Sequence, residues 1–162
     1  MCGIVGIYLK SKKFEKSLGG MLSKMLVSME SRGPDSAGFA IYNSDKNKTY
    51  KYSICLNEMS FEKFKKEIKK KVKLINIEKN SDHVILKSIK KPHEILPILE
   101  SFVEISLVGY GKSIEIFKQV GSPSKVVKKF NLDNFSGTHA IGHTRMATES
   151  AITTNGSHPY ST

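Results

Sequence analysis

The residue in this sequence that could do the most demanding chemistry is Cys2, which directly follows the initiator methionine. Methionine is normally removed when the second residue is small, so the mature chain would begin with a cysteine that carries both a thiol and a free α-amine. An α-amine has an ordinary pKa of about 7.7–8.0, so it can accept the thiol proton near neutral pH. A terminal amine acting as base toward its own side chain is one way to activate a nucleophile. Taken alone, this cysteine is also explained as a small buried residue.

Two arginines stand out in a chain that otherwise fills its basic positions with lysine, since only Arg32 and Arg145 are arginine among 26 lysines and arginines. Arg32 lies in the segment SRGPDSAG and Arg145 in GHTRMATES. A planar guanidinium with five donors binds a carboxylate in a bidentate manner that lysine does not reproduce. This distribution is what we expect if both arginines serve one site. For Arg32, a structural salt bridge is an equally good interpretation.

Several other residues could bind a metal or act chemically. His139 and His143 are four residues apart on a predicted strand and therefore share one face, and His158 follows later in the chain. Structural histidines outnumber metal ligands, so we predict neither a metal nor a cofactor. Asp35 either caps a turn or acts chemically. Cys55 is predicted to be a buried core residue.

The composition is typical of one globular domain without membrane-spanning segments. The chain has 162 residues, of which 39% are hydrophobic and 25% charged, and its formal net charge is +11. In the lysine-rich segment EKFKKEIKKKVK, Phe64 and Ile68 continue a helical spacing that begins at the preceding Phe61, which indicates a solvated helix face rather than a nucleic-acid site. A basic nucleic-acid-binding module remains an alternative that predicts a steep salt dependence. Without a long apolar run, a secretory signal or a cysteine framework, the sequence favours a cytoplasmic location and no membrane partner.

Hydrophobic periodicity predicts the elements that must position these residues. We expect a buried strand over 2–9, an amphipathic helix from Lys12 to Ser31, and a strand pair formed by 39–42 and 49–56 across a polar turn. Because strands come in adjacent pairs with helices between them, the pattern favours the α+β class with mixed or antiparallel sheets. The chain ends in a polar loop, which indicates a truncated domain. Further helices are predicted at 60–71, 92–101 and 122–130, and further strands at 72–77, 83–89, 103–108, 114–120 and 138–145.

Four ordered motifs, MCGIVG, RGPDSAGFAIY, GHTRMATES and HPYST, resemble the class II glutamine amidotransferases, whose glutaminase domain is an N-terminal-nucleophile hydrolase. The resemblance covers about residues 2–42 and 138–162. It is strongest toward the glutamate-synthase-like amidotransferase subunits, including the small subunit of N-methylglutamate synthase. It implies a four-layer αββα sandwich that is incomplete at the C-terminus, within a single truncated amidotransferase domain over 1–162.

The resemblance also implies a role for each motif residue. Cys2 would attack the side-chain amide of glutamine, giving a γ-glutamyl thioester and ammonia, with its own α-amine as the general base and acid. Arg32 would lie close to this nucleophile and order the site. Arg145 would bind the α-carboxylate of glutamine. The substrate pocket would further be lined by Met146, Ala147 and Thr148.

The same resemblance implies partners and a loss of activity. Ammonia would pass to a glutamate-synthase-like, FMN-containing synthase subunit, and a further chain would complete the domain. In this superfamily an Asn-Gly oxyanion pair follows the HP loop, whereas here Asn155-Gly156 precedes it. Because losing one oxyanion donor costs about 100–1,000-fold in turnover, we expect this chain alone to be nearly inactive. The alternative is a catalytically inactive domain with an assembly or regulatory role.

Overall fold

The structure is a computed structural model that describes residues 2–43, 49–73, 75–147, 153–154 and 156–160. Short 3-10 helices cover Lys12–Ser17, Glu30–Arg32 and Leu132–Asn134. The main elements in chain order are β1 (Gly3–Tyr8), α1 (Leu18–Ser28), β2 (Ser36–Tyr42), β3 (Tyr50–Cys55), α2 (Phe61–Lys71), β4 (Asn76–Asn80), β5 (His83–Ser88), α3 (Pro92–Glu100), β6 (Ser106–Gly111), β7 (Ile114–Val120), α4 (Pro123–Phe130) and β8 (His139–Arg145).

The strands form two four-stranded sheets, which with the four α-helices of the described residues place the protein in the α+β class. The first sheet has the order β1-β8-β2-β7 and the second the order β4-β5-β3-β6. Strand β8 pairs antiparallel with both β1 and β2, and β3 and β4 each pair antiparallel with β5. The chain divides into two compact units, one of Met1–Ser44 with Ile116–Tyr160 and one built from Asp45–Glu115.

The first unit packs α1 and a group of phenylalanines against its sheet. Leu18, Leu22 and Leu26 recur at four-residue spacing along α1 and are fully buried, as a helix with one apolar face requires. Gly142 of β8 lets α1 approach, since a Cβ there would lie 2.8 Å from the Leu26 side chain. Ring contacts with centroids 5.1–5.9 Å apart link four aromatic residues beside the helix, Phe39, Phe117, Phe130 and Phe135.

The second unit has its own core between its sheet and helices α2 and α3. The Ser60 hydroxyl caps α2 by accepting a hydrogen bond from the Lys63 backbone N–H at 3.3 Å. Phe64 and Ile68 on this helix are fully buried, while its lysines face outward. The predicted helices at 60–71, 92–101 and 122–130 are thereby confirmed, and the lysine-rich segment is a helix with one buried apolar face.

Three predicted elements differ from the structure. The strand predicted as buried over 2–9 is β1 at the edge of its sheet, where Ile4 and Tyr8 are 70% and 73% exposed. The helix predicted from Lys12 begins as a 3-10 helix without buried residues, and the α-helix starts only at Leu18, where burial begins. The strand predicted over 72–77 is β4 at Asn76–Asn80.

The predicted pairing of 39–42 with 49–56 was also wrong, although the neighbouring strands β4 and β5 do pair. Strands β2 and β3 follow each other in sequence but belong to different sheets, because β2 pairs with β8 and β3 pairs with β5 and β6. Strands β6 and β7 are separated between the two sheets in the same way. Within the described residues, no helix is long and apolar enough to cross a membrane.

Candidate functional site

The first sheet brings the ends of three strands together. Strand β8 lies between β1 and β2, with Gly3 opposite Thr144 and Ser36 opposite Arg145. Because both pairings are antiparallel, the beginnings of β1 and β2 lie at the same end of the sheet as the close of β8. Cys2, which precedes β1, and Arg145, which ends β8, therefore lie at this shared end.

Two glycines at this end allow neighbouring segments to approach closely. A Cβ at Gly3 would lie 2.7 Å from the Met29 side chain and 2.9 Å from the Thr144 hydroxyl. A Cβ at Gly33 would lie 2.5 Å from the backbone nitrogen of Arg145. The segment before β2 therefore lies directly against the end of β8, at a separation that leaves no room for a side chain.

Asp35 fixes the peptide groups on both sides of Met146, directly after Arg145. Its N–H donates to the Arg145 carbonyl at 3.1 Å, and its carboxylate accepts a hydrogen bond from the Ala147 N–H at 2.8 Å. Its carbonyl accepts from the Gly121 N–H at 2.8 Å. Of the two predicted alternatives, the structure supports a capping role, since the carboxylate satisfies a backbone donor just beyond the end of β8.

The half-buried Arg145 side chain is held by the segment that follows it in sequence. Its Nη1 donates a hydrogen bond to the Gly156 carbonyl. That carbonyl is kept in place by a turn, because the Gly156 N–H donates to the Thr153 hydroxyl at 3.0 Å and the Ser157 hydroxyl donates to the Thr153 carbonyl at 2.9 Å. The guanidinium is thus oriented by described residues rather than free in solvent.

A stack of two histidines lies beside Arg145. The ring of His143, which is 7% exposed, stacks on His158 with centroids 4.4 Å apart, and Tyr160 meets His158 edge-on at 4.4 Å. The Lys118 ammonium lies 4.6 Å from the centre of the Tyr160 ring. Gly38 admits this segment onto the sheet, because a Cβ there would lie within 2.2 Å of the His158 carbonyl oxygen.

Burial keeps both imidazoles neutral at physiological pH. Desolvation lowers the pKa of His143 to about 4, and the nearby His158 and Arg145 act in the same direction. The pKa of His158 is also lowered, by desolvation first and then by Arg145 and Lys118. Sequence reasoning missed this stack, although one signal was present: His143 and Arg145 are two residues apart on one strand and so share a face.

The remaining predicted site residues differ in their exposure and in their contacts. Cys2 carries an exposed free thiol. Arg32 lies on the exposed 3-10 helix before β2, and none of the ion pairs between described residues includes it. Met146 is exposed, and Ala147 is held through Asp35. Thr148 lies outside the described residues.

The three histidines considered as metal ligands do not form one cluster, because only His143 and His158 lie together. His139 lies at the opposite end of β8, where it stacks on Tyr42 with ring centroids 4.2 Å apart. Among described residues, the group of donors that could hold a metal contains none of His139, His143 and His158.

The shared end of the first sheet offers a thiol nucleophile in Cys2 and an oriented guanidinium in Arg145. This pair suits a substrate that carries both a carboxylate and an electrophilic carbonyl carbon.

Comparison with known proteins identifies relatives along the whole chain. No protein-family model matches. The chain is 40% identical over 166 residues to the glutamine amidotransferase-like protein GlxB of Rhizobium meliloti, covering 100% of this chain and 55% of that protein. It is 30% identical over 173 residues to a putative glutamine amidotransferase of Methanothermobacter thermautotrophicus, covering 99% of this chain and 56% of that protein. The chain thus spans about half the length of two curated relatives that are both named as glutamine amidotransferases or proteins like them.

Proposed function

We propose that this chain supplies the glutaminase site of a class II glutamine amidotransferase of the glutamate-synthase-like type. The observation that carries the proposal is the strand register that places Cys2 and Arg145 at one end of the first sheet. The names of the two relatives support the same activity. The alternative, an inactive domain with an assembly role, makes the opposite prediction in the experiment below.

The proposed reaction uses the thiol and α-amine of Cys2 after removal of the initiator methionine. The amine accepts the thiol proton, and the sulfur attacks the side-chain amide carbon of glutamine to form a tetrahedral intermediate. The carbon–nitrogen bond then breaks as the ammonium returns its proton to the leaving nitrogen, which departs as ammonia. Water attacks the resulting γ-glutamyl thioester, giving glutamate and regenerating the thiol.

Arg145 binds the α-carboxylate of glutamine in this proposal. The guanidinium is oriented by the Gly156 carbonyl, and the neighbouring backbone is fixed by the bond between Asp35 and Ala147, so little side-chain entropy remains to be lost on binding. Because His143 and His158 are neutral near pH 7, they add no positive charge that would repel the α-ammonium of the substrate. Arg32 orders the region near the nucleophile, and Met146, Ala147 and Thr148 line the pocket.

The exposed edge of the first sheet supports the proposal that a further chain completes an αββα sandwich. In the described residues β1 pairs on one side only, and it presents Ile4 and Tyr8 to solvent. Such an edge offers backbone donors and acceptors to another strand. A chain that adds a strand beside β1 is expected to co-purify with the protein, and Ile4→Lys is expected to weaken that association. The released ammonia then serves an FMN-containing synthase subunit.

Covalent labelling with the glutamine analogue 6-diazo-5-oxo-norleucine tests the site directly. The intact mass of the purified protein first shows whether the initiator methionine is removed. We expect one equivalent of label in the wild type and in Cys55→Ala, and none in Cys2→Ala, because only the exposed thiol is placed to react. Retained methionine or absence of label from correctly processed protein would support the inactive domain instead.

A further inference from the structure

A second group of chemically capable side chains lies in the other unit, the one built from Asp45–Glu115. Cys55, Asp82 and His83 each offer one donor atom, and these three atoms lie within 4.8 Å of one another. Cys55 ends β3 and is the register partner of His83, which begins β5. We propose that these three residues form a binding site for a thiophilic divalent cation such as Zn²⁺.

The backbone holds the three donors in place. Residues paired directly across an antiparallel ladder point to the same face of the sheet, so Cys55 and His83 project side by side. Asp82 lies in the turn between β4 and β5, and its carbonyl accepts a hydrogen bond from the Leu56 N–H at 2.8 Å. This bond ties the turn to the end of β3. The donors therefore come from two rigid strands and one anchored turn.

The donor set and spacing suit zinc. Thiolate, imidazole and carboxylate are the three ligand types that zinc takes in proteins, at about 2.3 Å for sulfur and 2.0–2.2 Å for nitrogen and oxygen. Tetrahedral geometry at these lengths separates the donors by about 3.3–3.6 Å. The Asp82 carboxylate already lies 2.9 Å from Nδ1 of His83. Side-chain rotations that move each donor by about 1 Å or less would close the site around an ion.

Burial distinguishes a metal site from a reactive thiol. Cys55 is 4% exposed and His83 is fully buried, whereas the Asp82 side chain is 35% exposed. Asp82 also lines an open surface cavity of about 460 Å³ together with Leu56 and Ser81. Of the three donors only Asp82 lines this cavity, and the Cys55 sulfur belongs to a side chain buried away from solvent. The nucleophilic interpretation of a Cys-His-Asp group is therefore disfavoured here.

The side chains of Cys55 and His83 are buried on one face of the second sheet, and the burial of such groups requires a physical reason. On β3 and β5 the neighbouring side chains of Ile54 and Val84 belong to the apolar core that faces α2 and α3. Cys55 and His83 alternate with them and lie buried on the other face of the sheet. Burying an imidazole costs free energy that an apolar residue would avoid; the Asp82 carboxylate at 2.9 Å offsets part of that cost, and coordination of an ion would offset more of it. On binding, the Cys55 thiol loses its proton to solvent and three protein ligands leave a fourth position for water.

Cobalt substitution provides a direct test, because Co²⁺ bound to thiolate absorbs through sulfur-to-metal charge transfer. The full chain carrying Cys2→Ser, which removes the exposed thiol, is titrated with Co²⁺ and then with Zn²⁺. We expect a thiolate-cobalt band that saturates at one equivalent and is abolished by stoichiometric Zn²⁺. The band is expected to disappear in Cys2→Ser/Cys55→Ser and to weaken at least tenfold in apparent affinity in Cys2→Ser/Asp82→Asn.

Asp82→Asn keeps the test decisive if a core variant fails to fold, because Asp82 is partly exposed and its backbone makes the structural bond. Thermal unfolding adds a second readout, since an ion that binds only the folded state raises its Tm. We expect Zn²⁺ to raise the Tm of Cys2→Ser and to raise it less in Cys2→Ser/Asp82→Asn. Absence of a charge-transfer band in folded Cys2→Ser, or a band found only when Cys2 is present, would overturn the proposal. Neither outcome bears on labelling of Cys2, so the two proposals fail independently.

Discussion

The His143–His158 stack predicts that the protein loses stability as the pH falls from 7 to 5. Burial places the pKa of folded His143 at about 4, whereas the unfolded chain has the ordinary value of 6.5. Between these values the unfolded state binds more protons, so stability is present above pH 6.5 and is lost as the pH falls toward 4. Linkage through these two pKa values gives a loss of about 2 kcal/mol between pH 7 and pH 5. His158, whose pKa is also lowered, adds a loss of the same sign.

Urea unfolding of the wild type and His143→Gln at pH 7, 6 and 5 measures this effect. The difference between the two proteins isolates His143, because every other titrating group contributes to both. We expect the variant to be less stable than the wild type at pH 7 and to lose about 2 kcal/mol less on going to pH 5. Identical slopes for wild type and His143→Gln would show that the imidazole is not desolvated, and would refute the reasoning.

Three further variants test the contacts that build the site. Arg145→Lys is expected to slow labelling of Cys2 by 6-diazo-5-oxo-norleucine about 10–100-fold, because one charge-assisted hydrogen bond to the carboxylate is lost. Asp35→Ala removes the acceptor of the Ala147 N–H and is expected to lower the free energy of unfolding by about 1.5–3 kcal/mol, measured in urea. Gly38→Ala forces a Cβ against the His158 carbonyl and is expected to cost about 1–3 kcal/mol in the same assay.

Two control variants measure the loss of stability caused by the same type of substitution at a position that lacks these contacts. Gly6→Ala lies in a strand of the same sheet, but its Cβ would meet nothing closer than 3.8 Å, so we expect a change within about 0.5 kcal/mol. Asp133→Ala removes an exposed carboxylate and is expected to be similarly neutral. If the controls destabilise as much as Gly38→Ala and Asp35→Ala, the close contacts assigned to the latter two are not what stabilises the fold.

Local structure was predicted well where a helix is determined by residues that lie close together in the sequence. The spacing of Phe64 and Ile68, and proline in the first turn at Pro92, were enough to predict α2 and α3 because both features act within a few residues. The strands were placed nearly as well, but their partners were not. Partner choice depends on which distant strand completes the ladder, and β8 follows β2 by about a hundred residues. The apolar content of β1 likewise suggested burial, although an edge position leaves Ile4 exposed.

In the candidate site too, residue types were informative in the sequence, whereas contacts that depend on strand register were not predictable. The scarcity of arginine was a usable signal for Arg145, since the structure orients that guanidinium, but Arg32 lies exposed and its type alone did not predict an environment. Cys55 and His83 are 28 positions apart in the sequence, and only the β3–β5 register places them opposite each other. Sequence reasoning therefore predicted correctly that Cys55 is buried, but it could not predict that His83 lies opposite.

The turn before β2 holds the end of β8 in place through contacts with its backbone. Gly33 contacts the Arg145 backbone, and Asp35 bonds to the peptide groups on both sides of Met146. These contacts act on the backbone and therefore do not depend on the arginine side chain. It follows that Asp35→Ala and Arg145→Lys should differ in kind: the first lowers both stability and labelling, whereas the second lowers labelling with little change in stability. Equal loss of stability in both variants would mean that the Arg145 side chain itself holds the strand end.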